Sequence, residues 1–86
     1  MLLRLHPEVT STDTDDGTVL LHGRTGRYFQ LNPTGTRVLQ RLLGGSPPDH
    51  IAAELAEHHH IAPERAARDV TAVVDQLRTA ELVITS

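Results

Sequence analysis

The chain has 86 residues and a formal net charge of −3, a length that suits one small domain and leaves no room for two independent cores. The net acidity argues against non-specific nucleic-acid binding, which draws its energy from neutralising phosphates. Cysteine is absent, which excludes disulfides and thiolate metal sites.

Three short strands are predicted in the first third of the chain. The pair Asp16-Gly17 is a strong hairpin signal. A strand that ends near Asp13 should therefore pair with "TVLLH" (18–22), whose β-branched and apolar residues favour a strand. A second turn, "GRTG", leads into a third strand, "RYFQL" (27–31). These segments predict an antiparallel sheet whose strands follow chain order.

The second turn sets the register of its hairpin. Pairing His22 with Arg27 places Leu20 opposite Phe29. Alternation along the strands then gives the sheet two apolar faces. The two faces carry Leu20, Phe29 and Leu31 on one side and Val19, Leu21 and Tyr28 on the other. Helices cover only one face easily, so we expect apolar surface near the third strand to meet the unassigned segment 1–9 or a partner.

The first two helices are predicted from their capping residues. Asn32 suits the cap of a helix from Pro33 to about Leu43, with the glycine pair after it as the stop. Ser46 is predicted to cap the second helix, with Pro47 as its first residue. This helix should bury Ile51, Ala52 and Leu55 and end near the run of three histidines at 58–60.

A stripe of apolar residues at helical spacing predicts the third helix, from Pro63 to about Ala80. The stripe consists of Ala66, Val70, Val73, Val74 and Leu77. The tail "LVITS" (82–86) is expected to pack Leu82 or Val83 under this helix. Three strands followed by three helices predict a winged-helix-like α+β fold.

Residues that catalysis or metal binding would need are present, but they are not arranged for either role. Adjacent histidines at 58–60 point in different directions on a helix, and no His-Glu-x-x-His pattern occurs. His6 and His22 are predicted to be isolated surface or strand residues. Ser11 and Ser46 lie in a turn and a cap, without a nucleophile-elbow motif. We expect no enzymatic activity, no metal and no cofactor.

A DNA-binding interpretation remains open for a winged-helix-like fold. Arg24 and Arg27 flank the second turn, and the third helix carries further arginines. Acidic residues interrupt them, so the helix offers no continuous basic face. The residues concerned are Arg65, Arg68 and Arg78 beside Glu64, Asp69, Asp75 and Glu81. A small DNA-binding or antitoxin-like regulator is the alternative to a peptide-binding protein.

The third strand favours peptide binding, because it is predicted to lie at the edge of the sheet. Unpaired N–H and C=O groups at an edge can template an added strand. Native proteins usually protect such edges with charge, proline or bulges. Here "RYFQL" offers only Arg27 at its start.

Three stretches match a known family: "TGRYFQLNPTG" (25–35), "GGS" before the second helix, and "DV…L…L" on the third. In this order, the chain from Val9 to Val83 resembles the PqqD-like family, the RiPP recognition elements. It is most similar to the free-standing leader-binding proteins of lasso-peptide biosynthesis. The family's common glycine before the final apolar tail is replaced here by Glu81.

The resemblance implies that the leader of a ribosomally made precursor pairs with the third strand and fills the cleft against the third helix. The strand residues would be Arg27, Tyr28, Phe29, Gln30 and Leu31. The helix residues would be Ala66, Asp69, Val70, Val73, Gln76 and Leu77. A purely core role is favoured for four of them: Phe29, Leu31, Val70 and Leu77. The residues that border the core and suit direct contact better are Tyr28, Gln30, Val73 and Gln76.

The resemblance also implies the partners. They would be a separate leader peptidase and an ATP-dependent macrocyclase, to which residues 1–86, as a single domain, would supply the leader. No nucleic acid is expected. No apolar run approaches the ~20 residues of a membrane span, so we expect a cytoplasmic protein without a membrane partner.

Overall fold

The computed structural model describes residues 3–85. Three helices follow a three-stranded antiparallel sheet, and a pair of short strands joins the beginning of this range to its end. The elements are β1 (Leu3–Leu5), β2 (Val9–Thr14), β3 (Gly17–His22), β4 (Tyr28–Leu31), α1 (Pro33–Leu43), α2 (Pro48–His59), α3 (Pro63–Thr79) and β5 (Val83–Thr85). The winged-helix-like α+β class is confirmed.

The larger sheet has the order β2-β3-β4, so the predicted third strand, β4, lies at an edge. Its register is the predicted one, with Leu20 opposite Phe29 and Leu21 opposite Tyr28. Gly17 begins β3 with a φ of 139°, and a Cβ there would collide with the carbonyl oxygen of Leu31. Only glycine therefore allows the start of β3 to lie this close to the end of β4.

The helices cover one face of this sheet. Leu20 and His22 have 0% exposure on the covered face, and Phe29 is half-buried beside them. The opposite face keeps Leu21 at 44% and Tyr28 at 73% exposure. The sheet thus leaves an apolar patch in water next to its open edge.

A second, two-stranded sheet of β1 and β5 was not predicted. Leu5 pairs with Val83 and Leu3 with Thr85. Leu3, Leu82 and Val83 are buried, so the predicted packing of the tail is confirmed, but the tail is a strand. Three-residue strands are too short to show an alternating pattern. Ser86, the end of the predicted tail, lies outside the described residues.

The first helix has the predicted bounds and the predicted cap. The Asn32 side chain accepts a hydrogen bond from the Gly35 N–H at 2.7 Å. At the other end, Gly45 has a φ of 92°, and its N–H donates to Leu42. This is the glycine stop that the sequence predicted.

The predicted Ser46 cap of the second helix is wrong. The α2 N-cap is Pro47, which makes no side-chain cap hydrogen bond, and the helix begins at Pro48. Ser46 instead ends the preceding helix, because its N–H donates to the Arg41 carbonyl at 3.0 Å. Because Ser46 is part of the motif that ends α1, α2 starts one residue later than predicted.

The second and third helices bury the predicted apolar residues. Ile51, Ala52 and Leu55 of α2 are all buried. On α3, Ala66, Val70, Val74 and Leu77 are buried, while Val73 lies at the margin of the core. The histidines at 58–60 are exposed at the end of α2, as predicted for a solvated helix terminus.

Glu81 takes the conformation that glycine favours at the end of a helix. Its φ is 59°, its N–H donates to Arg78, and the following Leu82 N–H donates to Leu77 at 2.9 Å. A residue with a Cβ is strained in this left-handed region. Its negative charge also lies at the unfavourable end of the α3 dipole.

We therefore expect Glu81→Gly to raise the free energy of unfolding by about 1 kcal/mol, measured by urea denaturation. Glu81→Ala is the control, because it removes the charge and keeps the strained Cβ. A stabilisation by alanine as large as that by glycine would show that backbone strain at this position is negligible.

Candidate functional site: the cleft between β4 and α3

The main chain of β4 offers hydrogen-bonding groups at the open edge. The His22 N–H donates to the Arg27 carbonyl at 2.8 Å, which makes these two residues a hydrogen-bonded pair. Bonded and non-bonded pairs alternate in an antiparallel ladder. Phe29 and Leu31 therefore face β3 with their main-chain groups, and those of Tyr28 and Gln30 point outward. A strand added here would pair with Tyr28 and Gln30.

Two concavities lie at opposite ends of β4, one reaching the C-cap of α3 and the other the middle of α3. The first, of about 360 Å³, is lined by Gly26, Arg27, Tyr28, Phe29 and Ala80. The second, of about 390 Å³, is lined by Asn32, Thr34, Gly35, Asp69, Ala72 and Val73. The start of β4 thus lies near the end of α3, and the residues after β4 lie near its middle. We call the surface along β4 that connects these two hollows the cleft.

The predicted site residues fall into two groups by depth. Five are exposed and two are half-buried: Arg27, Tyr28, Gln30, Asp69 and Gln76, then Phe29 and Val73. Four are in the core, with exposures of 5% for Leu31, 0% for Ala66, 1% for Val70 and 0% for Leu77. Gln30 and Gln76 line neither hollow, whereas the rest of the first group do, and the second group lies in the hydrophobic core. Leader contact by any of these residues stays a prediction.

Sequence reasoning missed several residues that line the cleft. Thr34, Ala72 and Ala80 were not considered, and Asn32 and Gly35 were interpreted only as the cap and first turn of α1. The residues that follow β4 could have been predicted to lie near the cleft, because they come directly after the strand in the chain. What the sequence did not show is that α3 runs past that point in the opposite direction.

Charge is unevenly placed around the cleft. Arg27 lines one hollow and Asp69 the other, so the two ends carry opposite signs. Three other arginines are already in ion pairs: Arg24 with Glu8 at 3.4 Å, and Arg37 and Arg41 with Glu54 at 3.4 and 2.9 Å. These pairs reduce the positive charge that a nucleic acid would meet.

No metal site accompanies the cleft in the part of the chain that the structure describes. Nowhere in residues 3–85 do three His, Cys, Asp or Glu side chains come together as ligands for a metal ion. Over the same residues, none of the helices is long and apolar enough to cross a membrane. The site offers a main-chain edge and two hollows, of which the one at the start of β4 is mostly apolar and the one after β4 mixes polar and apolar groups. An open strand edge of this kind can accept an extended peptide.

Comparison with known proteins assigns the chain to a family. Residues 17–83 match the family described as "Coenzyme PQQ synthesis protein D (PqqD)". The chain belongs to the PqqD family, and the predicted resemblance to PqqD-like RiPP recognition elements is confirmed. A search of curated proteins finds no significant match.

Two solved structures share the whole fold. One is a lasso peptide synthetase B1 complexed with the leader peptide, at 38% identity and a TM-score of 0.92, covering 99% of this chain and 100% of that one. The other is TbiB1 in complex with the TbiA(beta) leader peptide, at 29% identity and a TM-score of 0.84, covering 96% of both chains. Both relatives are therefore leader-bound proteins.

Proposed function

We propose that this protein binds the leader region of a ribosomally made precursor peptide as an added β-strand on β4, in the cleft against α3. The observation that carries the proposal is the open β4 edge, flanked by a hollow at each end of the cleft. The two leader-bound structures of the same fold support it. The proposed contacts are those of the predicted site, with the four core residues acting as its floor.

Main-chain pairing would supply affinity without sequence specificity. The outward N–H and C=O groups of Tyr28 and Gln30 offer four hydrogen bonds, each worth about 1 kcal/mol net. Two or three apolar leader side chains in the hollows would add about 1.5–3 kcal/mol each. After the cost of ordering a flexible peptide, the Kd falls between about 1 μM and 1 nM.

The hollows and charges would supply the specificity. Side chains of an added strand alternate between the two faces of the sheet. Those on the inner face would enter the hollows beside Phe29 and Val73, so they should be apolar. A leader residue near Asp69 should be basic or a hydrogen-bond donor, whereas one near Arg27 should be acidic or polar.

Once bound, the leader would be delivered to separate enzymes. We propose that residues 1–86 act as one non-catalytic, cytoplasmic adaptor that serves a leader peptidase and an ATP-dependent macrocyclase. Docking on either enzyme would raise the effective concentration of substrate near its active site. Omitting the adaptor from a reconstituted reaction at low micromolar precursor should slow leader removal, whereas leader-free substrates should react at an unchanged rate.

Val73→Asp tests the cleft itself. Val73 is half-buried and lines the hollow beside Asp69, so a second carboxylate there should weaken leader binding by about 30-fold or more, through lost apolar contact and buried charge. Isothermal titration calorimetry with a synthetic leader would measure the Kd.

Thr71→Asp is the matched control, because it adds the same charge to an exposed position of α3 outside both hollows of the cleft. Thermal unfolding followed by circular dichroism would confirm that both variants are folded. If Val73→Asp binds the leader as tightly as Thr71→Asp and the native protein do, the leader does not lie against Val73.

A further inference from the structure

The face of the β2-β3-β4 sheet opposite the helices is built from uncharged side chains. Leu21 and Tyr28, the large hydrophobic side chains that are exposed within residues 3–85, lie directly opposite each other on this face. Because side chains alternate between the two faces of a sheet, the same face carries Val19, Gln30, Thr10 and Thr12. We call these six residues the outer face. All of them are uncharged, in a chain of which 22% is charged.

The outer face is suited to packing against another sheet. An antiparallel sheet that faces water usually carries polar side chains there, whereas the inner faces of two packed sheets are apolar. Here the Leu21–Tyr28 pair forms an apolar centre, and an exposed apolar patch of this kind marks an interaction surface. The leader proposed above does not cover it, because strand pairing adds the leader beside the β4 edge, in the plane of the sheet.

One end of the outer face is acidic. The turn between β2 and β3 carries Asp15 and Asp16, and both are exposed. Within residues 3–85, neither carboxylate is in an ion pair. This end therefore presents two negative charges to whatever covers the face.

The other end, at the turn between β3 and β4, is basic. It carries Arg24 and Arg27, and Glu8 offsets one of these charges because its carboxylate lies 3.4 Å from Nε of Arg24. Nη2 of Arg24 also lies 3.2 Å from Nε2 of His6. The ring of His6 lies 4.6 Å from that of His22, so the prediction that these two histidines are isolated is wrong. Their contacts keep the Arg24 guanidinium at this end of the sheet.

A second copy of this chain matches both features of the outer face. It supplies an equally flat, uncharged surface, and its two ends carry the opposite charges needed. A two-fold axis that lies between the faces, perpendicular to the strands, places the acidic turn of each copy over the basic turn of the other. An axis along the strands would instead bring like charges together. The charges therefore select one of the two face-to-face arrangements.

We propose that the outer face is a self-association surface, on which two copies pack face to face with their strands in opposite directions. Three short strands give an interface smaller than the roughly 800 Å² per partner of a standard complex. We therefore expect a weak, reversible dimer with a Kd of about 100 μM. The β4 edge stays open in this dimer, so each copy would bind one leader; this clause rests on the proposed function.

Sedimentation velocity without leader, from about 10 μM to about 1 mM protein, tests the self-association. The native protein should change from monomer to dimer over this range. Leu21→Lys should raise the dimer Kd by about ten-fold or more, because the two-fold axis places two charges in the apolar centre at once. Ala53→Lys is the matched control, since it adds the same charge to an exposed position of α2 and should dimerise like the native protein.

Crosslinking tests the arrangement, because the native chain has no cysteine. Thr14→Cys places a thiol next to the acidic turn, and Thr25→Cys places one in the basic turn. The two variants, one of them ¹⁵N-labelled, are mixed and treated with a short bis-maleimide. We expect mass spectrometry to show mainly the mixed product. Products that join like with like would overturn the proposed arrangement.

The outcomes separate this inference from the proposed function. A native protein that stays monomeric to about 1 mM would overturn the self-association and leave leader binding intact. If, in addition, Leu21→Lys slows leader removal in the reconstituted reaction more than Ala53→Lys does, the outer face belongs to a partner enzyme. A dimer that dissociates on adding leader would contradict the open β4 edge. A folded protein that dimerises but binds no leader would overturn the proposed function alone.

Discussion

Gln30→Pro should weaken leader binding by about 100-fold while the protein stays folded. The Gln30 N–H points to the open edge, so a proline removes a group that would pair with the leader and costs no bond to β3. Its ring would also obstruct an incoming strand. The lost hydrogen bond between uncharged groups accounts for about 1 kcal/mol of the lost binding free energy. The steric obstruction accounts for the remaining loss of binding free energy. Calorimetric titration with the leader measures the Kd, and circular dichroism confirms the fold.

Gln30→Val is the matched control for the proline. It removes the polar side chain, keeps the main-chain N–H and suits a strand, so we expect its Kd within about three-fold of the native value, a change well below 1.4 kcal/mol. If the proline variant binds leader as well as the valine variant does, the leader does not pair with this edge.

Leu77→Ala should have the largest effect on stability. Leu77 has 0% exposure within the main core, and a leucine truncated at such a site loses about 3–4 kcal/mol of unfolding free energy through lost burial and the cavity left behind. A loss of this size is a large fraction of the whole unfolding free energy of a small domain. Urea denaturation measures the loss.

The same variant separates the floor of the cleft from its lining. Under conditions where Leu77→Ala is folded, its leader affinity should stay within about five-fold of native, less than 1.4 kcal/mol. We expect the reverse for the exposed neighbour: Gln76→Ala should change the free energy of unfolding by less than about 0.5 kcal/mol and weaken leader binding, because Gln76 is proposed to contact the peptide. A folded Leu77→Ala protein that has lost leader binding, beside a native-like Gln76→Ala, would place the leader deeper than proposed.

The strands and helices that the sequence predicted well carry local signals. The hairpin turns and alternation predicted the register that sets Leu20 against Phe29, and the Asn32-Pro33 pair predicted the start of α1. Each depends on residues close together in the chain, where turn chemistry and capping act directly. From these elements, the edge position of β4 followed.

The features that the sequence did not predict depend on distant residues. The pairing of β1 with β5 joins segments about eighty positions apart, and each strand has three residues. The contact of His6 with His22 depends on how the segment before β2 folds over the hairpin. On α3, periodicity predicted Leu77 in the core and Gln76 at its border, and the structure buries the first and exposes the second, but the pattern did not single out Ala72, which lines a hollow of the cleft.

The most direct test of the central claim is fluorescence anisotropy of a labelled leader peptide from a precursor gene encoded beside this one, titrated with the folded protein at low and high salt. A random DNA duplex is titrated in parallel. We predict a leader Kd of about 1 μM or tighter that changes little with salt, because strand pairing and apolar burial involve few counterions. Absence of leader binding, together with duplex binding that falls steeply with salt, would contradict the leader-binding account and favour a DNA-binding regulator.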